Sequence, residues 1–351
     1  ASDWSSDVFS SACHRDALIH HPQPDFPGHF QQLPGPLLQG DGVGVGVVGH
    51  TPPLGHDLLG RLLCAFLRRL RLEPDCLRGS AAALVVDGPG ETDTKDLARD
   101  LVYAANLAGC RFPGKPLVEA TGSLHNLRNL QKKAGLPSRE AAYAYAVQAL
   151  VGRLLAPVPE GKARPRVLML HASDRETSNT LYLGERVAAR LAGACRVETV
   201  NLKNGTIHDC RGCSYKVCAH YAQSGSCFYG GVLNEDVFPA VLASDALLLL
   251  CPNYNDALGA NLTAFINRLT ALAVNDALAG KALYALVVSG YSGGDLVAKQ
   301  LLGALCLNKS MGLPPRFCLL ETANDPGEAA KLPGIEGRLD EFTAQMRSEL
   351  L

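Results

Sequence analysis

Residues 166–180, RVLMLHASDRETSNT, decide the fold. The segment opens as a short apolar strand and breaks into a Ser/Thr/Asn-rich turn that starts a helix. A helix start leaves backbone N–H groups unpaired and carries the positive end of the helix dipole, so it favours an anion. Ser173, Arg175, Thr177, Ser178, Asn179 and Thr180 add hydroxyl, guanidinium and amide donors at that same end. A helix cap needs one such residue, and six within residues 173–180 predict a phosphate-binding loop. The alternative is an unusually decorated cap.

Downstream, RVETVNL, ALLLLCP, ALYALVVSG and FCLLETA read as further strands separated by helical stretches. Strands alternating with helices imply a parallel sheet covered on both faces. Ligands of such sheets sit outside the carboxyl ends of the strands. Three polar loops fall there: HASDRETSNT, CPNYNDA and SGYSGGD, the last spanning residues 289–295.

Taken together, the phosphate-loop strand, a Cys-x-Gly-Cys element, DALLLLCP with its Asn-Tyr loop, and NLTAFINRL resemble a known group of flavoenzymes. They are similar to the NADPH-dependent FMN reductases and iron–sulfur flavoproteins of the flavodoxin-like group, over about residues 165 to 325. The resemblance implies an α/β fold, a flavodoxin-like doubly wound parallel sheet of five strands. It also implies FMN as cofactor and NAD(P)H as electron donor. By the same resemblance Pro252, Asn253, Tyr254 and Asn255 lie along the isoalloxazine ring, with Tyr254 stacking on it. Ser289, Gly290, Tyr291, Gly293 and Gly294 would let the backbone approach the ring closely, because glycine has no Cβ. Ordinary strand-to-helix turns are the alternative for both loops. NLTAFINRL departs from the group in having Thr263 and Asn267 where it carries Lys and Asp; Arg268 is kept, with a structural role expected.

Four cysteines follow the spacing Cys210-x2-Cys213-x4-Cys218-x8-Cys227. Four thiolates within so short a segment can ligate a [4Fe-4S] cluster or a zinc ion, or serve as redox thiols without metal. Iron–sulfur flavoproteins place their third cysteine closer to the second, whereas structural zinc prefers two Cys-x2-Cys pairs, and only one is present. All three readings stay open. Most of the other cysteines, such as Cys64, Cys110, Cys195, Cys251, Cys306 and Cys318, sit singly in apolar runs and read as small core residues.

Bulk composition narrows the function classes. Lys and Arg number 33 against 34 Asp and Glu, so there is no basic surplus of the kind that neutralises nucleic-acid phosphates. No apolar run approaches the roughly 18 residues that span a bilayer, and a reducing cytoplasmic location is expected. His-Glu-x-x-His, nucleophile-elbow and Walker motifs are missing, which argues against hydrolytic and phosphoryl-transfer chemistry.

The first half of the chain echoes the second. LQKKAGLP (130–137) matches LNKSMGLP (307–314) at Leu, Lys, Gly, Leu and Pro. Upstream of each lie an apolar strand, a loop, an amphipathic helix, a Gly-Lys turn and a second strand. This pattern predicts an internal duplication whose first copy is truncated and degenerate. Its counterpart of the phosphate loop, HTPPLGHD, loses backbone donors to proline, and DGPGETD would set carboxylates beside an anionic cofactor, so no FMN is expected there. Gly44-x-Gly46-x-x-Gly49 matches the dinucleotide fingerprint literally, but its glycines fall inside the strand and Pro52-Pro53 block the helix start.

The expected organisation is an irregular arm at 1–40, a degenerate flavodoxin-like domain at 41–155, a linker at 156–165 and the FMN-binding domain at 166–351. Metal binding by His20, His21 and His29 in the arm is disfavoured by their loose spacing. The two copies are expected to form a pseudo-dimer within the chain, and a homodimer is the further possibility. The expected activity is an FMN-dependent oxidoreductase, NAD(P)H- or ferredoxin-linked, that passes electrons to a quinone, azo compound or other small-molecule or protein acceptor. The alternative is a non-enzymatic electron carrier or redox sensor.

Overall fold

The computed structural model describes residues 45–50, 57–158, 160–173, 177–202 and 207–351. The arm at 1–40, with His20, His21 and His29, and the HTPPLGHD loop between His50 and Asp57 lie outside the described residues, as does Arg175. Two compact units make up the chain, Ala1–Pro157 and Val158–Leu351.

In the first unit, β1 (Val45–His50), β2 (Ala82–Asp87) and β3 (Leu117–Ala120) form a parallel sheet in the order β1-β2-β3. Gly46 and Gly49 lie inside β1, paired with Ala83 and Val86, so they open no helix. Helices α1 (Asp57–Leu72), α2 (Thr94–Leu107) and α3 (Arg139–Leu155) accompany these strands. Ala83 and Val118 pack with Leu150 of α3, joined by the partly buried Val85, Ala146 and Val147. Leu84 and Val86 point to the opposite face by strand alternation and are buried as well. Each side chain of that size contributes roughly 1.5–3 kcal/mol on full burial.

The second unit holds β4 (Arg166–His171), β5 (Arg196–Asn201), β6 (Ala246–Pro252), β7 (Ala282–Ser289) and β8 (Cys318–Thr322). All neighbours are parallel, in the order β5-β4-β6-β7-β8. This is the 2-1-3-4-5 order of flavodoxin-like sheets. Strands β4, β6 and β7 are near-continuous apolar runs because both their faces are covered. On one face Met169, Leu248, Leu250, Tyr284 and Leu286 pack against α4 (Asn179–Leu191) and the helix Ile335–Leu350. Their alternates Leu168, Leu170, Leu247, Leu249 and Val287 are buried on the other. The edge strand β5 is mostly exposed, in keeping with its polar sequence RVETVN.

Ion pairs fix the outer helix to this core. Arg338 makes two 2.7 Å hydrogen bonds to the carboxylate of Glu321, whose side chain is only 5% exposed. Arg186 and Arg190 of α4 reach Glu336 and Asp340 across the helix pair.

The two sequence-matched segments turn differently. In the first unit the left-handed residue is Gly135, and the chain continues into α3; in the second it is Ser310, two positions earlier in the matched segment, and the chain continues into β8.

Candidate functional site

The crevice of the second unit lies where β4 and β6 adjoin, since β4 leads outward to β5 and β6 to β7. At such a switch point the connections diverge and leave room for a ligand. Ser178 caps α4: its Oγ accepts a 3.1 Å hydrogen bond from the N–H of Leu181 and lies 2.9 Å from the Thr180 hydroxyl. The N–H groups of Asn179 and Thr180 have no hydrogen-bond partner among the described residues. The Ser173 N–H donates to His171 Nδ1 at 3.3 Å, whereas Ser173 Oγ is buried and unpartnered. Thr177 is exposed beside them.

Asn179 has a different task from the one its sequence position suggests. Its side-chain amide donates to the carbonyl of Asp325 at 2.9 Å, and its Oδ1 accepts from the Ala329 N–H at 3.2 Å. The side chain therefore ties the start of α4 to the loop after β8, which leaves only its backbone N–H for a ligand.

After β6, Tyr254 and Ala257 exchange backbone hydrogen bonds of 3.2 and 3.1 Å across a two-residue turn. Asn255 and Asp256 both take left-handed φ there, 53° and 58°, a conformation that Asn and Asp tolerate better than other side chains. Asn253 Nδ2 donates to Ser289 Oγ at 3.1 Å and lies within 3.3 Å of Asp256 Oδ1, so it joins the loops after β6 and β7. Its Oδ1 is buried and has no partner. Tyr254 and Tyr291 are 60% and 80% exposed, leaving an aromatic ring free on each loop.

In the third loop the glycines meet neighbouring loops. Gly293 has φ +93°, and a Cβ there would stand 1.8 Å from Asp256 Oδ1. Gly290 lies against the Asn324 side chain, and Gly294 against Ser289 Oγ. Sequence reasoning missed Asp256 and the 323–328 loop, where Glu328 accepts from the N–H groups of Asn324 and Asp325 at 2.6 and 3.0 Å. The run Asn324-Asp325-Pro326-Gly327 directly after a strand was the available signal.

The cysteine element forms a second feature. Cys210 and Cys213 precede α5 (Tyr215–Ala222), Cys218 lies on it, and Cys227 comes after it, its N–H donating to Asn234 Oδ1 at 2.6 Å. All four line one cavity of about 230 Å³, together with Arg211, Tyr229, Asn267 and Arg268. Burial pushes the Cys218 thiol up, and the neighbouring Cys213, Cys227 and Cys210 push it further. Among the described residues no group of three or more His, Cys, Asp or Glu side chains is arranged to hold a metal ion. Helix α6 (Ala260–Arg268) connects the two features. Asn261 at its start donates to the Leu202 carbonyl just past β5, and Asn267 near its end donates to Asp209. Seven residues separate Asn261 from Arg268, about 10 Å along a helix axis.

The described residues include no helix long and apolar enough to cross a membrane. No curated protein matches the chain. Similar solved structures include an NADH:FMN oxidoreductase (EMOB) in its apo form, with 16% identity and TM-score 0.38 over 53% of this chain and 90% of that one. An NAD(P)H:quinone oxidoreductase from Methanothermobacter marburgensis shares 17% identity, with TM-score 0.38 over 53% and 94%. An azoreductase from Bacillus anthracis shares 14%, with TM-score 0.34 over 52% and 97%. Residues 165–325 match the profile of the family NADPH-dependent FMN reductase.

Proposed function

We propose that the second unit binds FMN and catalyses flavin-dependent electron transfer from NAD(P)H, or from a ferredoxin-like donor, to a quinone, azo compound or other acceptor. The observation that carries this reading is the crevice between β4 and β6. There the unpartnered N–H groups of Asn179 and Thr180 and the orphaned Ser173 hydroxyl suit a phosphate, and the open rings of Tyr254 and Tyr291 suit a planar ring system. Bound FMN would supply hydride acceptance and one- or two-electron transfer. The chain's own contribution is to hold and orient it. Ser173, Thr177, Ser178 and Thr180 address the phosphate, Asn253 addresses the ring's polar edge through its free Oδ1, and the 289–294 loop closes against Asp256.

In this reading the first unit is the degenerate copy. Its strand order β1-β2-β3 corresponds to β4-β6-β7 once the second strand and the cysteine element are removed. The test is reduction of added FMN-loaded protein by NADPH, followed by electron delivery to a soluble quinone. Flavin that binds and bleaches with NADPH supports the reading. Protein that leaves FMN free in solution contradicts it.

A second element of the proposal is an iron–sulfur centre held by Cys210, Cys213, Cys218 and Cys227. Four ligands of one zinc ion at 2.3 Å would bring the sulfurs within about 3.8 Å of each other. The reading rests on all four thiols lining one cavity, which a multinuclear centre with its ligands on different irons would fill. An electron-carrier role is the outcome if the centre loads and NAD(P)H is not oxidised directly.

A further inference from the structure

We infer that Arg268 is the charge partner and positioning residue of the centre held by the four cysteines. The inference rests on the iron–sulfur reading above and goes beyond it by assigning a residue that sets the centre's reduction potential. Arg268 is 4% exposed and lines the four-cysteine cavity. One arm of its guanidinium, Nη2, donates a 2.7 Å hydrogen bond to the carbonyl of Gly230, three residues beyond Cys227. Its Nε is buried and has no hydrogen-bond partner.

An arginine is always protonated, and a buried guanidinium N–H without an acceptor is costly. The cavity offers it no carboxylate: its lining holds Arg211 as a second cation, amide and hydroxyl groups, and the four thiols. The position before Arg268, acidic in the resembled family, is Asn267, and its amide is engaged with Asp209. The acceptor that completes this environment is an anionic sulfur centre, since four thiolates outweigh the positive charge of the iron–sulfide core they would hold. A cation with an N–H beside such a centre stabilises its more negative, reduced state and raises its potential. The Gly230 contact in turn fixes the segment that carries Cys227.

The experiment is anaerobic reconstitution of the full chain with ferrous iron and sulfide, for the native protein, Arg268→Met and Arg268→Lys. Iron and sulfide content are assayed, and the centre is titrated with dithionite, which supplies one electron to it. Native protein is expected to load near-stoichiometric iron and sulfide. Arg268→Met is expected to load the centre but with about tenfold less of it reduced at a given ambient potential, a fall of ~59 mV for a one-electron couple. Arg268→Lys, which keeps the charge, is expected to recover most of that shift. Should Arg268→Met fail to fold, Arg268→Gln, which also removes the charge, is titrated in its place, and a native potential there would overturn the inference. Equal potentials in native and Arg268→Met protein would overturn it while leaving the iron–sulfur reading intact. Failure of native protein to take up iron and sulfide would overturn both.

Discussion

Each unit sets three parallel strands side by side, β1-β2-β3 in the first and β4-β6-β7 in the second, and the polar groups at their carboxyl edges differ. In the second unit that edge leaves polar groups without a partner among the described residues: the N–H groups at the start of α4, the buried Ser173 hydroxyl and the buried acceptor Oδ1 of Asn253. In the first unit it is lined by carboxylates that its own side chains already occupy. Tyr143 donates to Asp87 at 2.8 Å, Thr94 to Glu119 at 2.9 Å, and the Ser123 N–H to Glu91 at 3.0 Å. Contact with Ser123 holds the Glu91 carboxyl below its usual range, so it stays charged where an anionic cofactor would have to sit. On the proposed reading, similar strand arrangements differ in which polar groups their loops carry and whether these are already paired.

The largest expected effect comes from the glycines that close each edge. Gly293→Val places branched carbon where Asp256 stands and forces a left-handed β-branched residue, so FMN affinity should fall about a hundredfold, ~2.7 kcal/mol, in a flavin-fluorescence titration. In the first unit Gly122 ends GKPLVEATG as Gly290 ends GKALYALVVSG, and Gly122→Val would strike the Pro89 carbonyl, from which a Cβ would be 2.2 Å. That change should lower the melting temperature yet leave FMN affinity within about twofold. Equal losses of affinity in the two variants would break the distinction between the units.

A second difference is the Arg338–Glu321 pair, which joins β8 to the terminal helix, both absent from the first unit's plan. Arg338→Met should destabilise the second unit by about 2 kcal/mol in urea unfolding. That is less than for a fully buried pair, because the arginine side chain is 40% exposed.

Serine caps allow a matched pair of substitutions. Ser138 Oγ accepts from the Ala141 N–H at 3.1 Å in the first unit, as Ser178 Oγ does from Leu181 in the second. Alanine at either should cost about 1 kcal/mol of stability. Only Ser178→Ala should also weaken FMN binding, by about tenfold, ~1.4 kcal/mol. The comparison sharpens if chemical denaturation shows equal losses while flavin titration separates them.

The smallest effect concerns acid. Burial alone would raise Asp245, but Lys162 and the Arg166 N–H override it and hold the carboxyl below its usual range. A depressed carboxyl stabilises the fold above its unfolded value near pH 4 and loses that contribution as pH falls through its folded value. Asp245→Asn should therefore reduce stability at pH 7 by under ~1 kcal/mol and show a shallower loss between about pH 4 and 2.

Much of this was legible because it is local. LLLLCP and ALYALVVS are apolar runs bounded by polar loops, and Ser178 stands one residue ahead of a helix, where its role is set by spacing alone. The features that could not be read depend on partners far along the chain. Asn179 looked like a phosphate donor because its amide's acceptor, Asp325, lies 146 residues away. The glycines of the 289–294 loop looked like room for a ring, and the contact that demands one of them is Asp256. Arg268 read as structural, and only the folded chain brings it to the cavity of the four cysteines. The matched residues led to the expectation of a repeat, yet the turn at Gly135 and that at Ser310 differ in backbone, because the next element is a helix in one unit and a strand in the other.

The central claim is that two related sheets in one chain have diverged into one cofactor site and one closed edge. Its most direct test is the stoichiometry of FMN binding to the full chain by equilibrium dialysis, with Gly293→Val alongside. The account predicts one FMN per chain in the native protein and none retained at the same flavin concentration in the variant. Two FMN per chain, or one that survives Gly293→Val unchanged, would contradict it.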